Sequence, residues 1–331
     1  MANLLVTGGA GYIGSHTARA LERAGYSVVI FDNFSRGHRQ AVEGYTVVEG
    51  NTAERKKLAA LLREFNISAV MHFAAHSLVG ESVEKPDLYY HNNVLGGLNL
   101  LEAVLEAGVK HFVFSSSAAV YGEPEETPVG EEHPLKPANP YGETKVVIER
   151  ALHYFTQAFG LNSVSLRYFN AAGAALSGGI GEDHDPETHL VPIILQSVLG
   201  RREKVTVFGN DYPTTDGTAV RDYIHVDDLA EAHLLALEAL LQGRQSQVYN
   251  LGNGEGYSVL EVIKAVEKVT GKAVPYEFGS RRTGDPALLV AAAKKAEREL
   301  GWRPKTTALV DIVESAWRWH RENPQGFGAE K

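Results

Sequence analysis

Three glycines spaced three residues apart follow the apolar run Leu4-Leu5-Val6, in the order Thr7-Gly8-Gly9-Ala10-Gly11-Tyr12-Ile13-Gly14. A strand that ends in such a turn and runs into an apolar helix (Ile13, Ala18, Ala20, Leu21) makes the start of the chain a strand–turn–helix unit suited to a dinucleotide. Glycine permits the tight turn, lets backbone approach a pyrophosphate, and brings the helix close to the sheet. The free N–H groups and positive end of the helix then face the phosphates. Gly8, Gly11 and Gly14 give G-x-x-G-x-x-G in place of the commoner G-x-G-x-x-G. A second strand, Ser27–Phe31, ends at Asp32, 18 residues beyond Gly14 and near the interval for a ribose-binding acid. Alone, the turn could join any strand to any helix; with both strands and Asp32, dinucleotide binding is the better reading.

The same alternation continues. Strands are expected at Tyr45–Val48, Ala69–Phe73, His111–Phe114 and Ser163–Leu166, and helices at 53–66, 87–108 and 140–160. This predicts an α/β fold, a doubly wound parallel sheet with helices on both faces and a ligand beyond the strands' carboxyl ends. After about residue 170 the pattern loosens through glycine-rich 173–181 and acidic 182–187. Helices near 190–200, 227–241 and 258–270 and a strand at Gln247–Asn250 follow. We expect a Rossmann-like dinucleotide domain over 1–170, with segments near 225–255 returning to it, and a smaller C-terminal substrate-binding lobe over 171–331. The tail, Asn323–Lys331, reads as frayed.

Composition narrows the function. The 331 residues are 44% hydrophobic and 22% charged, as in globular proteins, and long enough for a large core. The net charge of −9 disfavours nucleic acid, which needs a basic stripe, yet allows a small phosphorylated ligand. With no cysteine, thiolate catalysis, thiolate metal sites and disulfides are excluded. A first strand near residue 3 and the lack of a long apolar run predict a cytoplasmic protein without a membrane partner.

The chemistry centres on Pro140-Tyr141-Gly142-Glu143-Thr144-Lys145. Asn139 is the expected cap of a helix with Pro140 in its first position. Tyr141 and Lys145, four apart, share a face. An ammonium beside the phenol should lower its pKa from about 10 and make it a usable acid or base. A surface aromatic–cation contact is the bland alternative. The position favours chemistry, because the preceding strand ends at Ser115-Ser116-Ser117, where Ser117 can bridge a substrate hydroxyl and Tyr141.

The glycine turn, this serine and Tyr141-x-x-x-Lys145 together resemble the extended short-chain dehydrogenase/reductase superfamily. Within it, the chain resembles the UDP-glucose 4-epimerase family over nearly its full length. The stretches that carry this are Thr7–His16, Gly80-Glu81-Ser82, Phe114–Gly122, Pro140–Lys145, Leu166–Asn170, Phe208–Pro213 and Gly217–Val226. The last of these fall in the substrate half. The resemblance implies Ser117, Tyr141 and Lys145 as the catalytic set and NAD as the cofactor. It places Gly8, Gly11, Tyr12, Ile13 and Gly14, then Asp32, Asn33, Asn51 and Thr52, at cofactor positions. Phe73, Ala74, Ala75, Asn92, Ser115 and Tyr168 complete that set. Around UDP-glucose or UDP-galactose it implies Phe169, Asn170, His189, Leu190, Phe208, Arg221, Arg282 and Asp285, besides Ser117 and Tyr141. Arginines suit a diphosphate by charge and fork geometry. The implied reaction is oxidation at C4, rotation of the 4-keto sugar, and reduction on its other face, with no net redox change. A homodimer through helices 87–108 and 140–160 is also implied.

Departures from the family pattern stand at four places. Gly50-Asn51-Thr52 replaces an aspartate-bearing segment, and Ala74-Ala75-His76-Ser77 lacks a frequent lysine. His189 replaces a frequent asparagine. Leu289 stands where a tyrosine or small residue sets pocket size, which leaves UDP-N-acetyl sugars open as substrates. Asp32 favours NAD, while Arg36 and Arg39 keep NADP open.

A dehydratase or decarboxylase of the same superfamily would need an acid or base after the catalytic hydroxyl; Ala118-Ala119 supplies none. A redox-sensing NAD-binding regulator should lack the Tyr–Lys pair or the arginines. No metal is expected. His72 and His76 do not share a helix, and His184 and His189, grouped with Asp183 and Asp185, lack zinc-site spacing.

Overall fold

A computed structural model of the chain describes residues 2–282 and 284–328. Seven strands form one parallel sheet: β1 (Asn3–Thr7), β2 (Ser27–Asp32), β3 (Thr46–Glu49), β4 (Ile67–His72), β5 (His111–Ser115), β6 (Asn162–Tyr168) and β7 (Gln247–Leu251). Their spatial order is β7-β6-β5-β4-β1-β2-β3. The chain therefore runs outward one way from β1 to β3, then returns to start again at β4. The switch point lies between β1 and β4, where an α/β sheet leaves a crevice for its ligand. The doubly wound sheet read from the sequence is the observed fold.

Runs such as Leu4-Leu5-Val6 and Ala69-Val70-Met71 are buried on both faces, as parallel strands require. On one face α1 (Tyr12–Arg23) and the helix Val226–Leu241 pack together over the sheet. On the other lie Arg55–Glu64, Gly96–Glu106 and Pro140–Phe159. The long helix expected over 87–108 contains a π-helical turn at Tyr90–Leu95, between Pro86–Tyr89 and Gly96–Glu106. That turn rotates Asn93 inward, where its amide bonds the backbone N–H and carbonyl of His76 at 2.8 and 3.0 Å.

The C-terminal lobe has its own apolar cluster. The helices Leu190–Val198, Val259–Thr270 and Leu309–Glu322 pack with the strand Val205–Phe208, which pairs with Tyr276–Gly279. Ser258 and Glu261 form a reciprocal capping box at the start of Val259–Thr270. The tail corrects the frayed expectation as far as residue 328. Phe327 stacks on His38 with ring centres 4.8 Å apart, and its N–H donates to Asp183 at 2.8 Å. Residues 329–331 lie outside the described residues. Among the described residues, no helix is long and apolar enough to cross a membrane.

Candidate active site

Beyond the carboxyl ends of β1, β4 and β5 lies a cleft of about 400 Å³, walled by the glycine turn, the start of Pro140–Phe159 and the C-terminal lobe. The turn is tight for steric reasons. Gly8 has φ +70°, and a Cβ there would sit 2.4 Å from the Ala74 nitrogen. A Cβ on Gly14 would sit 2.3 Å from the Gly8 carbonyl oxygen. Gly11 precedes α1, and no side chain caps that helix, so its first N–H groups are available to an anion.

Across the cleft, the Asn139 side chain accepts from the Gly142 N–H at 2.9 Å with Pro140 in the first turn, as the sequence predicts. This sets Tyr141 and Lys145 on the inward face; they are 8% and 3% exposed. Ser117 leads into a short 3-10 turn, its hydroxyl accepting from the Ala119 N–H at 3.1 Å. Ser115, Ser117, Tyr141, Lys145 and Tyr168 all line the cleft. The Ser115 and Tyr168 hydroxyls are 2.5 Å apart.

The electrostatics differ from the sequence expectation. Burial raises the Tyr141 phenol above its ordinary value, and a hydrogen bond from Ser117 offsets part of the rise. Burial also lowers Lys145 to about 7, against the opposing pull of Glu149. The Lys145 amine bonds the Ser115 carbonyl oxygen at 2.8 Å and lies 5.6 Å from the Tyr141 ring centre. Thus the protein alone does not acidify Tyr141; helical spacing could not reveal that desolvation dominates both groups. His72, beside them, is held neutral, lowered by burial and by Lys145 to about 3.

Gly8, Gly11, Tyr12, Ile13, Gly14, Phe73 and Ala75 line the main cleft. Asp32, Asn33, Thr52, Ala74 and Asn92 line an adjoining cavity of about 90 Å³. The Asp32 carboxylate accepts from the N–H groups of Ala10 and Phe34, both at 2.9 Å, and so ties β2 to the glycine turn. Asn51 departs from expectation: it is exposed, lines neither cavity, and its side-chain oxygen accepts from the Ala53 N–H at 2.8 Å. Arg36 pairs with Glu81 at 3.2 Å, and Arg39 pairs with Glu49.

On the lobe side, Phe169, Asn170, His189, Arg221, Asp285 and Leu289 line the cleft. Arg221 is ion-paired with Asp285. Leu190, Phe208 and Arg282 do not line it; the Arg282 guanidinium lies over the Phe208 ring at 4.0 Å. The sequence reading also misjudged the histidine loop. The carboxylates facing His184 and His189 belong to Glu182 and Glu187, whereas Asp183 turns to Phe327. The visible signal was the alternation Glu182, His184, Glu187, His189. Burial opposes their protonation, but the two glutamates raise His184 to about 9 and His189 to about 10.

Comparison with known proteins agrees with this geometry. The model of the NAD dependent epimerase/dehydratase family matches residues 4–252. A UDP-glucose 4-epimerase of Halalkalibacterium halodurans is 53% identical over 99% of this chain and 98% of its own. The structure of a Brucella ovis UDP-glucose 4-epimerase in complex with NAD is 45% identical, with a TM-score of 0.94 over 96% of this chain and 98% of that one. A Bifidobacterium longum UDP-glucose 4-epimerase in complex with NAD+ and UDP is 41% identical, with a TM-score of 0.93 over 98% of this chain and 100% of that one.

Proposed function

The chain belongs to the UDP-glucose 4-epimerases of the NAD dependent epimerase/dehydratase family, and from that premise we propose that it interconverts UDP-glucose and UDP-galactose by inverting C4 of the hexose. The observation that carries the reading is one cleft shared by the glycine turn, by Ser117, Tyr141 and Lys145, and by Arg221.

The residues present fit NAD. The uncapped first turn of α1 would hold the pyrophosphate, Asp32 a ribose, and the cavity lined by Asn33, Thr52 and Asn92 the adenosine. Bound there, NAD supplies a hydride acceptor and a positively charged ring. As the phenolate, which that positive charge would favour, the Tyr141 oxygen would take the proton of the sugar 4-hydroxyl and, as the phenol so formed, return it to the C4 oxygen on the way back. Ser117 holds that oxygen by a hydrogen bond and reaches the same hydroxyl. Lys145, bonded to the Ser115 carbonyl oxygen, would hold the nicotinamide ribose. Arg221 would hold the diphosphate; Phe208 and Arg282, stacked on each other outside the cleft wall, would meet the uracil only where the nucleotide extends beyond the cleft. The sugar turns about its diphosphate linkage between the two half-reactions. Ala118 and Ala119 offer no group for dehydration or decarboxylation.

We read the assembly as a homodimer. Exposed Val83, Leu88, Tyr90 and Leu95 on the 79–106 segment and Tyr154 and Phe159 on the helix Pro140–Phe159 leave an apolar face to cover. The division into a dinucleotide domain over 1–170, with segments near 225–255 returning to it, and a lobe mainly over 171–331 is supported by the lobe's own apolar cluster, although Ala296 and Trp302 also pack in the cluster of the sheet. Leu289 in the cleft wall bears on N-acetylated sugars. The test is conversion of UDP-galactose to UDP-glucose, with UDP-N-acetylglucosamine assayed in parallel, by purified protein without added NAD. Absence of conversion even with NAD supplied would refute the reading.

A further inference from the structure

Between residues 182 and 189 the chain folds so that Glu182, His184, Glu187 and His189 each present one ligand atom to a common centre, all four atoms within 4.8 Å of one another. The His189 Nδ1 lies 2.7 Å from Glu182 Oε1 and 3.3 Å from Glu187 Oε1. The His184 Nδ1 lies 3.3 Å from Glu182 Oε1 and 3.7 Å from Glu187 Oε2. Around a tetrahedral zinc ion with bonds of about 2.0–2.1 Å, ligand atoms stand about 3.3 Å apart. The four spacings, 2.7 to 3.7 Å, fall on either side of that value, so small shifts of the side chains would close the shell.

Direction decides between an ion pair and a metal site. In an imidazolium–carboxylate pair the N–H points at the oxygen. Here Glu182 Oε1 and both Nδ1 atoms are buried and have no hydrogen-bond partner, although they lie within contact distance of one another. Donor and acceptor directions miss each other. Glu182 is only 3% exposed, and a bare carboxylate oxygen at such depth is costly.

We propose that Glu182, His184, Glu187 and His189 bind one divalent transition metal of the zinc class. Two imidazoles and two carboxylates are a borderline donor set that such ions take, and two carboxylates neutralise the ion's charge. Glu187 is further oriented, since its Oε1 accepts from the N–H groups of Thr188 and His189 at 2.8 and 2.9 Å. Four protein ligands leave no open position, so the ion braces structure and takes no part in the epimerisation. His189 directly precedes the helix Leu190–Val198, and the edge of His184 meets the Tyr12 ring with centres 6.1 Å apart. The ion therefore ties the first helix of the C-terminal lobe to the head of α1. It fixes the cleft wall formed by Glu182, His184 and His189.

The test uses the full chain with any affinity tag removed and NAD left in place. The protein is stripped with a chelator, then titrated with zinc chloride against a chromogenic competitor, and separately with cobalt chloride. The expected result is uptake of about one zinc per chain, a rise in Tm, and the intense visible bands of tetrahedral cobalt. Glu182→Gln and His184→Gln should each lose the uptake and the bands. No saturable zinc uptake by the wild-type protein overturns the proposal, whatever the variants do. Uptake unchanged in both variants overturns it as well, and marks an adventitious ion only.

Discussion

The Lys145 amine lies 5.6 Å from the centre of the Tyr141 ring and gives its hydrogen bond to the Ser115 carbonyl oxygen at 2.8 Å. Both groups are buried, and burial pushes each toward its neutral form. Such a phenol gives up its proton once a positive charge enters the cleft, and the phenolate then takes the substrate's proton. Removing only its oxygen should therefore remove the chemistry and little else. Tyr141→Phe is expected to lose at least about a hundredfold in kcat while still binding NAD and UDP-sugar, read by turnover beside ligand-binding titrations. Turnover near wild type would show that another group carries the proton.

Burial lowers Lys145 to about 7, whereas in the unfolded chain the amine stays protonated up to about 10.4. Between these values the unfolded chain binds the extra proton, so Lys145 makes stability rise with pH across that window, and its full cost falls below it. Lys145→Met abolishes the term. The wild-type minus K145M difference in unfolding free energy should therefore climb between about pH 7 and pH 10 and level off on either side. Urea denaturation of NAD-free protein over that range measures it. A flat difference would mean that the folded site keeps the ammonium charged.

One turn beyond Lys145, Glu149 forms a buried ion pair with Arg167 of β6, which also donates to the Tyr121 hydroxyl at 2.9 Å. Glu149 accepts from the Ser116 hydroxyl as well, so the pair joins the helix Pro140–Phe159 to β6 and to the turn that follows β5. Arg167→Met strands a buried carboxylate and should cost about 3–5 kcal/mol. Arg167→Met with Glu149→Met should cost less than the sum of the single changes, because neither charge is then left unpaired. Denaturation midpoints of the three variants decide this. Additive losses would show that the pair contributes nothing as a pair.

What the sequence disclosed was local. The glycine turn, Asp32 at the end of β2 and the Asn139 cap each rest on bonds within one β–α–β or turn unit, and all three occur where the residues predict. What it hid depends on surroundings that no spacing encodes. Helical spacing correctly put Tyr141 beside Lys145 but could not weigh desolvation against charge. The loop of 182–189 has no regular period, so which carboxylates meet His184 and His189 follows only from its path. Arg282 stacked on Phe208, and Arg221 paired with Asp285, likewise join residues 74 and 64 positions apart in the chain.

The glycine turn offers a sharper division between folding and binding. A Cβ on Gly14 would lie 2.3 Å from the backbone oxygen of Gly8, and backbone cannot move aside cheaply. By helix propensity alone Gly14→Ala should stabilise α1 by about 1 kcal/mol. The contact reverses that sign, so G14A should lower Tm and weaken NAD binding together. At Gly11 the Cβ meets nothing nearer than 3.4 Å and would project where the uncapped helix end awaits a phosphate. Gly11→Ala should thus leave the Tm of NAD-free protein near wild type and weaken NAD binding alone. Thermal unfolding with and without NAD separates the two. If G11A binds NAD as tightly as wild type, the pyrophosphate does not approach that backbone, and the placement of the cofactor along α1 fails.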